Sequence, residues 1–577
     1  MTEVFEAVDE HDHRLAADLT GPLADLNRAG LLTAGDARIA RTLCLLGGES
    51  SADVELAVAL LVRAARNGSV CVDLREVHDL LPDHPWPEAR PWLEAVAASP
   101  LTGVAVRHDD GLLYLHRYWA EEGAVVTDLH ERLARPQPVV DERRLGIALD
   151  RHFTAPYAEQ RAAAEASARR WTSVITGGPG TGKTTTLARL LAVLADQSAT
   201  PLRIALAAPT GKAAARMSQA LADAVSKPTF PEVDRGAVAG LTASTLHRLL
   251  GFRPDNRTRF RHHRGNRLPY DVVVVDEASM VSLSMMARLV EAIRPEARLI
   301  LLGDADQLAS VEAGAVLHDV VAGFQGRAPS PVSRLEKSHR FGRQIGALAA
   351  AVRDGHADVA WSLLTAGDTD VELIDPSDTA RVREVVMPSV VDLRDRALAG
   401  DPAPVVAALN AHRLLCAHRA GPFGVAAWNE RIEQWLKAEI GTDWLPYRYP
   451  GQPLMQTSND YGLKLWNGDS GVVLGGDERR ALFDDGAEGR IVSLARLSEV
   501  EVAHALTVHR SQGSEFGQVP VILPESDSRL LSRQLLYTAV TRAVDRVHVV
   551  GTEESVKEAV RRQARRSSGL AGRLAAD

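Results

Sequence analysis

Eight residues, Gly177-Gly178-Pro179-Gly180-Thr181-Gly182-Lys183-Thr184, have the spacing G-x-x-x-x-G-K-[ST] of a phosphate-cradling loop. Glycines let backbone N–H groups turn inward on a polyphosphate, and the positive end of a following helix adds to the attraction. Lys183 would then meet the β- and γ-phosphates, while Thr184, followed by Thr185, would bring a hydroxyl to Mg²⁺. A second chemical pair is Asp276-Glu277. One carboxylate suits a Mg²⁺ ion, directly or through water, and the other suits taking a proton from an attacking water. Asp276 is assigned to the metal and Glu277 to the base. A lone Asp-Glu dipeptide would be weak evidence. Downstream of a phosphate loop, the two sets together describe hydrolysis of a nucleoside triphosphate.

Such groups need elements that hold them. Trp171 to Thr176 reads as a short buried strand before the loop, and Leu187, Leu190, Leu191 and Leu194 recur at helical spacing after it. Four valines follow Asp271 and end at the Asp-Glu pair, as a central parallel strand should. Arg298 to Leu302 is another buried strand, delivering Gly303-Asp304-Ala305-Asp306-Gln307 beside the same pocket, where Gln307 could sense the γ-phosphate or orient water. Strand–helix alternation from about 141 predicts an α/β chain with parallel sheets, whose carboxyl edges gather ligands.

The chain has 577 residues, 45% apolar and 24% charged, with a net charge of −9. That length predicts three or four domains, and the acidity confines any nucleic-acid groove to a local basic patch. Cys44, Cys71 and Cys416 are too scattered for a disulfide framework or a metal site and read as small core residues. No apolar run approaches a membrane span, and the N-terminal residues (Thr2, Glu3, Glu6) show neither the basic region nor the apolar segment of an export signal, so a reducing cytoplasm is expected.

Residues 1–140 read as mostly helical, an accessory or docking domain closed by the linker Arg135-Pro136-Gln137-Pro138. Gln160, on a helical run just upstream of the loop, is either a surface residue or an amide for the adenine edge. The strand Arg203 to Ala208 leads to Thr210, which either caps the next helix or meets a nucleic-acid phosphate. His247 follows, then a basic segment with Arg253, Arg257, Arg259, Arg261, Arg264 and Arg267, either a nucleic-acid-facing hairpin or a solvated loop. Residues 336–577 form a second alternating region with a β-rich insertion at about 445–500, including a hairpin turn at Asn467-Gly468-Asp469-Ser470-Gly471. Arg340 is unremarkable on spacing alone, Arg542 falls at a helix end, and the tail from Lys557 reads as a solvated helix face.

In order, these blocks resemble the motif set of superfamily 1 helicases over about 160–545. GGPGTGKT resembles motif I, APTGKAAARM motif Ia, VVDEASM motif II and LLGDADQL motif III. SHR at 338–340 resembles motif IV, LTVHRSQGSEF motif V and YTAVTRA motif VI. The wording is similar to that of the RecD subunits of RecBCD helicase–nucleases. The resemblance implies two RecA-like domains (141–335 and 336–577), ATP and Mg²⁺ between them, and single-stranded DNA across their top. It casts Arg340 and Arg542 as arginine fingers and assigns Gln160 to adenine. It adds nucleotide contacts by Gln307 and Glu515, and makes Thr210, His247, Thr507 and His509 DNA-groove residues. The basic segment, about 250–268 with Arg257, Arg259 and Arg261, would be a duplex-splitting hairpin, and 445–500 an SH3-like barrel. Travel 5′ to 3′, RecB and RecC as partners, no membrane, and a nuclease site on another subunit are further implications. A stand-alone motor and a mainly structural subunit are the competing readings.

Overall fold

Val272–Val275 lies fully buried at the middle of a six-stranded parallel sheet, where four consecutive valines meet apolar helices on both faces. The computed structural model describes residues 11–253, 259–338, 342–443, 445–460, 462–484, 489–528, 530–564 and 566–576. In chain order its strands begin with β1 (Cys71–Asp73), β2 (Val106–Asp109) and β3 (Leu112–Leu115). Then come β4 (Thr172–Gly177), β5 (Ile204–Ala208), β6 (Ala243–Thr245), β7 (Val272–Val275), β8 (Arg298–Gly303) and β9 (Val332–Leu335). The remainder are β10 (Val371–Ile374), β11 (Leu414–Cys416), β12 (Pro453–Gln456), β13 (Ser470–Val473), β14 (Arg480–Phe483), β15 (Arg490–Ser493), β16 (Val500–Val502), β17 (Ala505–Thr507), β18 (Phe516–Ile522) and β19 (Ala543–Val550).

Two parallel sheets carry the expected lobes. The first runs β6-β5-β7-β8-β4-β9, the second β10-β19-β18-β11-β17. The second lobe's chain is interrupted by a five-stranded antiparallel sheet, β15-β14-β13-β12-β16, which is the expected β-rich insertion. Leu187, Leu190, Leu191 and Leu194 of the helix Lys183–Asp196 are all buried against the first sheet with Ile175, Val272 and Val274. All three cysteines are buried and unpaired, as their composition-level reading requires.

Residues 11–140 are mostly helical as expected, but they also hold the antiparallel sheet β1-β3-β2. This unit shares a core with the first lobe: Val125 and Leu129 of the helix His116–Ala134 lie in one cluster with Val273, Met286 and Val320. Arg132 of that helix, buried, donates to Thr172 Oγ1 and to the carbonyls of Trp171 and Arg294. Burial lowers its pKa to about 10, which leaves it charged at neutral pH, and the carbonyl cage answers that charge.

The carboxyl-terminal segment corrects one expectation. It is not a solvated helix face. After the helix Glu553–Arg561 in the second lobe, the chain crosses back, and helix Leu570–Ala575 buries Leu570 and Leu574 in the first-lobe core beside Phe324. A Cβ on Gly323 would stand 2.7 Å from that of Leu574. The crossing is pinned by Ser568 Oγ donating to Glu122 Oε1 at 2.8 Å, Val70 N to the Ser567 carbonyl at 3.0 Å, and Arg573 pairing with Asp109 at 2.7 Å. Arg566 donates to the carbonyls of Ser310, Glu312 and Gly314.

Two predictions follow from burial. Leu574→Asp places a charge in that core, so the tail should detach and limited trypsin digestion should clip it between the last two helices at least about tenfold faster than in the unchanged chain. Intact tails in both proteins would show that the packing is not what holds it. Second, burial, with Arg413's charge behind it, pushes His504 down to about 3, while its ring sits 2.5 Å from the Tyr449 hydroxyl. The unfolded chain protonates such a histidine at about 6.5, the folded chain only near 3, so its stabilising effect is present above about 6.5 and drains away as pH falls toward 3. Urea unfolding from pH 7 to 4 should therefore show His504→Gln losing less stability than the unchanged chain, by up to about 1.4 kcal/mol per pH unit. Parallel profiles would show that this imidazole titrates alike in both states.

Candidate nucleotide site and nucleic-acid face

The phosphate loop leaves the carboxyl end of β4. Gly180 and Gly182 take φ of 78° and 82°, and Gly182 is the residue that opens the helix Lys183–Asp196. Gly177 is demanded by closeness instead, since a Cβ there would fall 2.5 Å from the Leu335 carbonyl at the end of β9. Lys183 Nζ donates to the carbonyls of Gly177 at 2.6 Å and Gly178 at 3.0 Å, and Thr181 Oγ1 donates to the Gly178 carbonyl at 2.8 Å. Pro179 receives a bond from Ser338 Oγ at 3.2 Å. Thr184 and Thr185 follow in the first turn, half-buried. Gln160 is buried rather than on the surface, its amide donating to the Thr181 carbonyl at 3.1 Å.

Two adjacent strands deliver the acids. Asp276 directly follows β7, and its Oδ1 accepts from the Glu277 N–H at 2.9 Å. Burial, then Glu277's charge, raises the Asp276 pKa to about 6, while the Lys183 ammonium pulls it the other way. Glu277 itself stands at φ 51°, a left-handed conformation that costs a non-glycine residue roughly 1–3 kcal/mol and is typical of working sites. Asp304 follows β8, is 2% exposed, and has a pKa raised by burial against the same opposing ammonium. Gln307 Nε2 donates to its Oδ2 at 2.9 Å. The loop, the acid pair and Gln307 thus converge at the carboxyl ends of β4, β7 and β8, neighbouring strands in the middle of one sheet.

The second lobe closes on this corner. Tyr537 Oη donates to Asp304 Oδ2 at 3.0 Å, the Leu308 N–H donates to Thr538 Oγ1 at 3.0 Å, and Gln512 donates to the Leu308 carbonyl at 2.7 Å. Arg542, 3% exposed, donates to the carbonyls of Thr538 at 3.0 Å and Ser514 at 3.2 Å, and burial lowers its pKa against the fields of Glu277 and Glu515. Glu515 pairs with Arg216 of the first lobe at 2.9 Å, and Arg216 also donates to the Gly513 carbonyl. Arg340, the other expected finger, lies outside the described residues.

The nucleic-acid candidates lie farther along both sheets. Thr210 follows β5 and caps the helix Gly211–Ser226, accepting from Ala213 N at 3.2 Å, so the capping role is real. His247 follows β6, is exposed, and packs edge-on against Phe252 and Phe260 at centroid distances of 6.0 and 5.8 Å. Thr507 ends β17 and accepts from the Arg510 N–H at 3.4 Å, and burial pushes the His509 imidazole down to about 4. β6 and β5 end one sheet, β17 the other. Within the basic segment Arg259 and Arg261 are exposed, Arg257 lies outside the described residues, and the expected hairpin is reduced among the described residues to a bridge between His263 and Asn266. Arg264 pairs with Asp128 at 2.7 Å and Arg267 donates to the Ile293 carbonyl at 2.5 Å, so both serve the fold.

Sequence reasoning missed three contributors. Tyr537 and Thr538 sit on the helix Arg533–Val540 with no sign of which way they face. Lys212, beside Thr210, is turned to the insertion, donating to the Gly468 carbonyl at 3.3 Å, and burial with Arg216's charge lowers its pKa to about 8. A Cβ on Gly211 would lie 2.5 Å from the Trp466 ring.

Three family models match the chain. An AAA domain covers 160–313, a UvrD-like helicase C-terminal domain 502–550, and the N-terminal domain of RecBCD enzyme subunit RecD 28–109. The RecBCD enzyme subunit RecD of Mycolicibacterium smegmatis is 52% identical over 95% of this chain and 98% of its own length. That of Mycobacterium tuberculosis is 51% identical over 98% of both chains. The ATP-dependent RecD2 DNA helicase of Deinococcus radiodurans is 35% identical over 68% of this chain but only 48% of its own length. With the helicase motifs in order on two RecA-like lobes and full-length agreement of this kind, the chain belongs to the RecD family and is an ATP-dependent DNA helicase.

Proposed function

We propose that this chain is the 5′-to-3′ motor subunit of a cytoplasmic RecBCD-type enzyme, acting with RecB and RecC on duplex DNA ends. Residues 1–140 would be its docking domain, 141–335 and 336–577 its two motor domains, with nuclease chemistry on another subunit. The observation that carries the motor reading is the convergence of Lys183, Asp276, Glu277 and Gln307 at one sheet edge, with buried Arg542 presented from the opposite lobe. Agreement with RecD chains along 98% of their length, against half of RecD2, supports a subunit over a stand-alone motor.

Lys183 and the loop N–H groups of Gly177, Gly178, Gly180, Thr181 and Gly182 hold the triphosphate, and Gln160 faces the adenine. Asp276, its carboxyl raised to about 6 by desolvation and then by Glu277's charge, fits Mg²⁺ together with the Thr184 hydroxyl. When bound, that ion would neutralise phosphate charge. Glu277 takes the proton of the attacking water, Gln307 orients it, and Arg542 and Arg340 meet the γ-phosphate from the second lobe. Binding thereby draws the lobes together and hydrolysis lets them part, and DNA held across Thr210, His247, Thr507 and His509 advances with each cycle. Exposed Arg259 and Arg261 contact the phosphates of the entering duplex.

Lys183→Ala should keep the fold and DNA binding while losing about 10²- to 10³-fold in ATP turnover, and Arg542→Ala about 10³-fold. DNA-stimulated turnover that survives both changes would refute the site. Strand displacement on substrates of opposite overhang, with the complex purified from its own cell, tests direction and partnership together. For the basic segment, Arg259→Glu with Arg261→Glu should weaken duplex-end binding and lower the slope of log affinity against log salt by about 2. An unaltered slope would remove these residues from the DNA path.

A further inference from the structure

The phosphate loop has a neighbour that no motif role explains. Tyr537 belongs to the second lobe, yet its hydroxyl lies on the first: it bonds Asp304 Oδ2 at 3.0 Å, and a Cβ on Gly178 would come within 2.8 Å of it. Asp304 is 2% exposed and Tyr537 4% exposed, so water competes poorly for either group. The same Oδ2 accepts the Gln307 amide at 2.9 Å, while Oδ1 accepts the Asp306 N–H at 3.1 Å. One carboxylate oxygen therefore carries two donors, one from each lobe. The amide that must orient at the γ-phosphate is fixed through an atom that a second-lobe hydroxyl also holds. Four residues after Asp304, Thr538 and Gln512 grip Leu308 from the same side, so the loop 304–308 is clamped from the second lobe at both ends.

We infer that Tyr537 is a positioning residue for hydrolysis: its hydroxyl, through Asp304, sets the orientation of Gln307, so that the side-chain amide is aligned only when the second lobe is seated. Tyr537 need not touch the nucleotide. Its lever is the shared oxygen, and a hydrogen bond to a charged, buried acceptor is among the stronger ones a side chain makes. The coupling is local, since hydroxyl and amide meet on one atom. It rests on the nucleotide site proposed for Lys183 and Asp276.

The test is steady-state ATPase of the full chain with saturating single-stranded DNA. Tyr537→Phe, which keeps the ring packed, should lower kcat about tenfold with KM for ATP and thermal midpoint unchanged. Asp304→Asn should behave alike, and Gln307→Ala should lower kcat at least as far. The double change Tyr537→Phe with Gln307→Ala should be no slower than Gln307→Ala alone, because both act through one orientation. Multiplying losses, a wild-type kcat for Tyr537→Phe, or a loss confined to KM or to the melting point would overturn the inference. Lys183→Ala is assayed alongside: if that protein hydrolyses ATP normally, it is the proposed nucleotide site that has failed.

Discussion

A buried carboxylate held by donors from two different lobes is a demanding arrangement, and the motor half of this molecule depends on it. Asp304 has lost its water, which raises its pKa and obliges it to find hydrogen bonds. Its own loop supplies Gln307 and the Asp306 N–H, and the facing lobe supplies Tyr537. Around it, Thr538 and Gln512 take the polar atoms of Leu308, and Arg216 reaches Glu515. Each such bond contributes about 0.5–1.5 kcal/mol net. A handful amounts to a few kcal/mol, which is the size of bias that a ligand with different affinities for two states can reverse. Leu308 adds an apolar contact at the same place, its side chain buried in the second-lobe core.

Elsewhere the contacts are of the other kind. The amino-terminal unit and the carboxyl-terminal helix meet the first lobe through a shared apolar core, with Leu129, Leu289, Val320 and Leu574 in one cluster. These parts are packed on the first sheet through that one core. The second lobe is joined to that body twice: where the chain first passes from one sheet to the other, and where residues 562–569 run from helix Glu553–Arg561 to helix Leu570–Ala575. Val556 and Val560 root the leash in the second core, Leu570 and Leu574 in the first. Eight residues extend to at most about 28 Å, and Arg566 shortens the leash further by holding the carbonyls of Glu312 and Gly314.

Much of this was readable from residue types alone where one local rule dominates. A phosphate loop needs its glycines at fixed steps, a central parallel strand needs unbroken apolar residues, and turn residues mark a hairpin, so β4, β7, β8 and the insertion stood out. What escaped notice depends on partners distant in sequence. β1, β2 and β3 are three or four residues long, within helical surroundings, and too short to show a period. Arg566 and Arg573 look like solvent-facing charges until the carbonyls of 310–314 and Asp109 are brought to them. In sequence Arg264 and Arg267 are indistinguishable from the rest of a cationic patch, although Asp128 and the Ile293 carbonyl claim them. Thr210 shows that two open readings need not compete, since an N-cap threonine leaves the helix's remaining N–H groups pointing outward.

The sheet orders separate two kinds of chemistry along one edge. Nucleotide candidates occupy β4, β7 and β8, in the interior of the first sheet, and nucleic-acid candidates follow β5, β6 and β17, toward the sheet ends. Between them, Lys212 donates to the Gly468 carbonyl of the insertion turn, and Trp466 lies against Gly211. Lys212 loses its hydration there, which is why its pKa falls to about 8. With two of the segment's arginines committed to the fold, the chain's overall −9 is offset only locally. A strand lying on that edge would then be held less by diffuse charge than by short contacts, with His247, Phe252 and Phe260 offering aromatic faces beside the exposed Arg259 and Arg261. Contacts of that kind do not distinguish one base from the next, which is what a motor that must pass over any sequence requires.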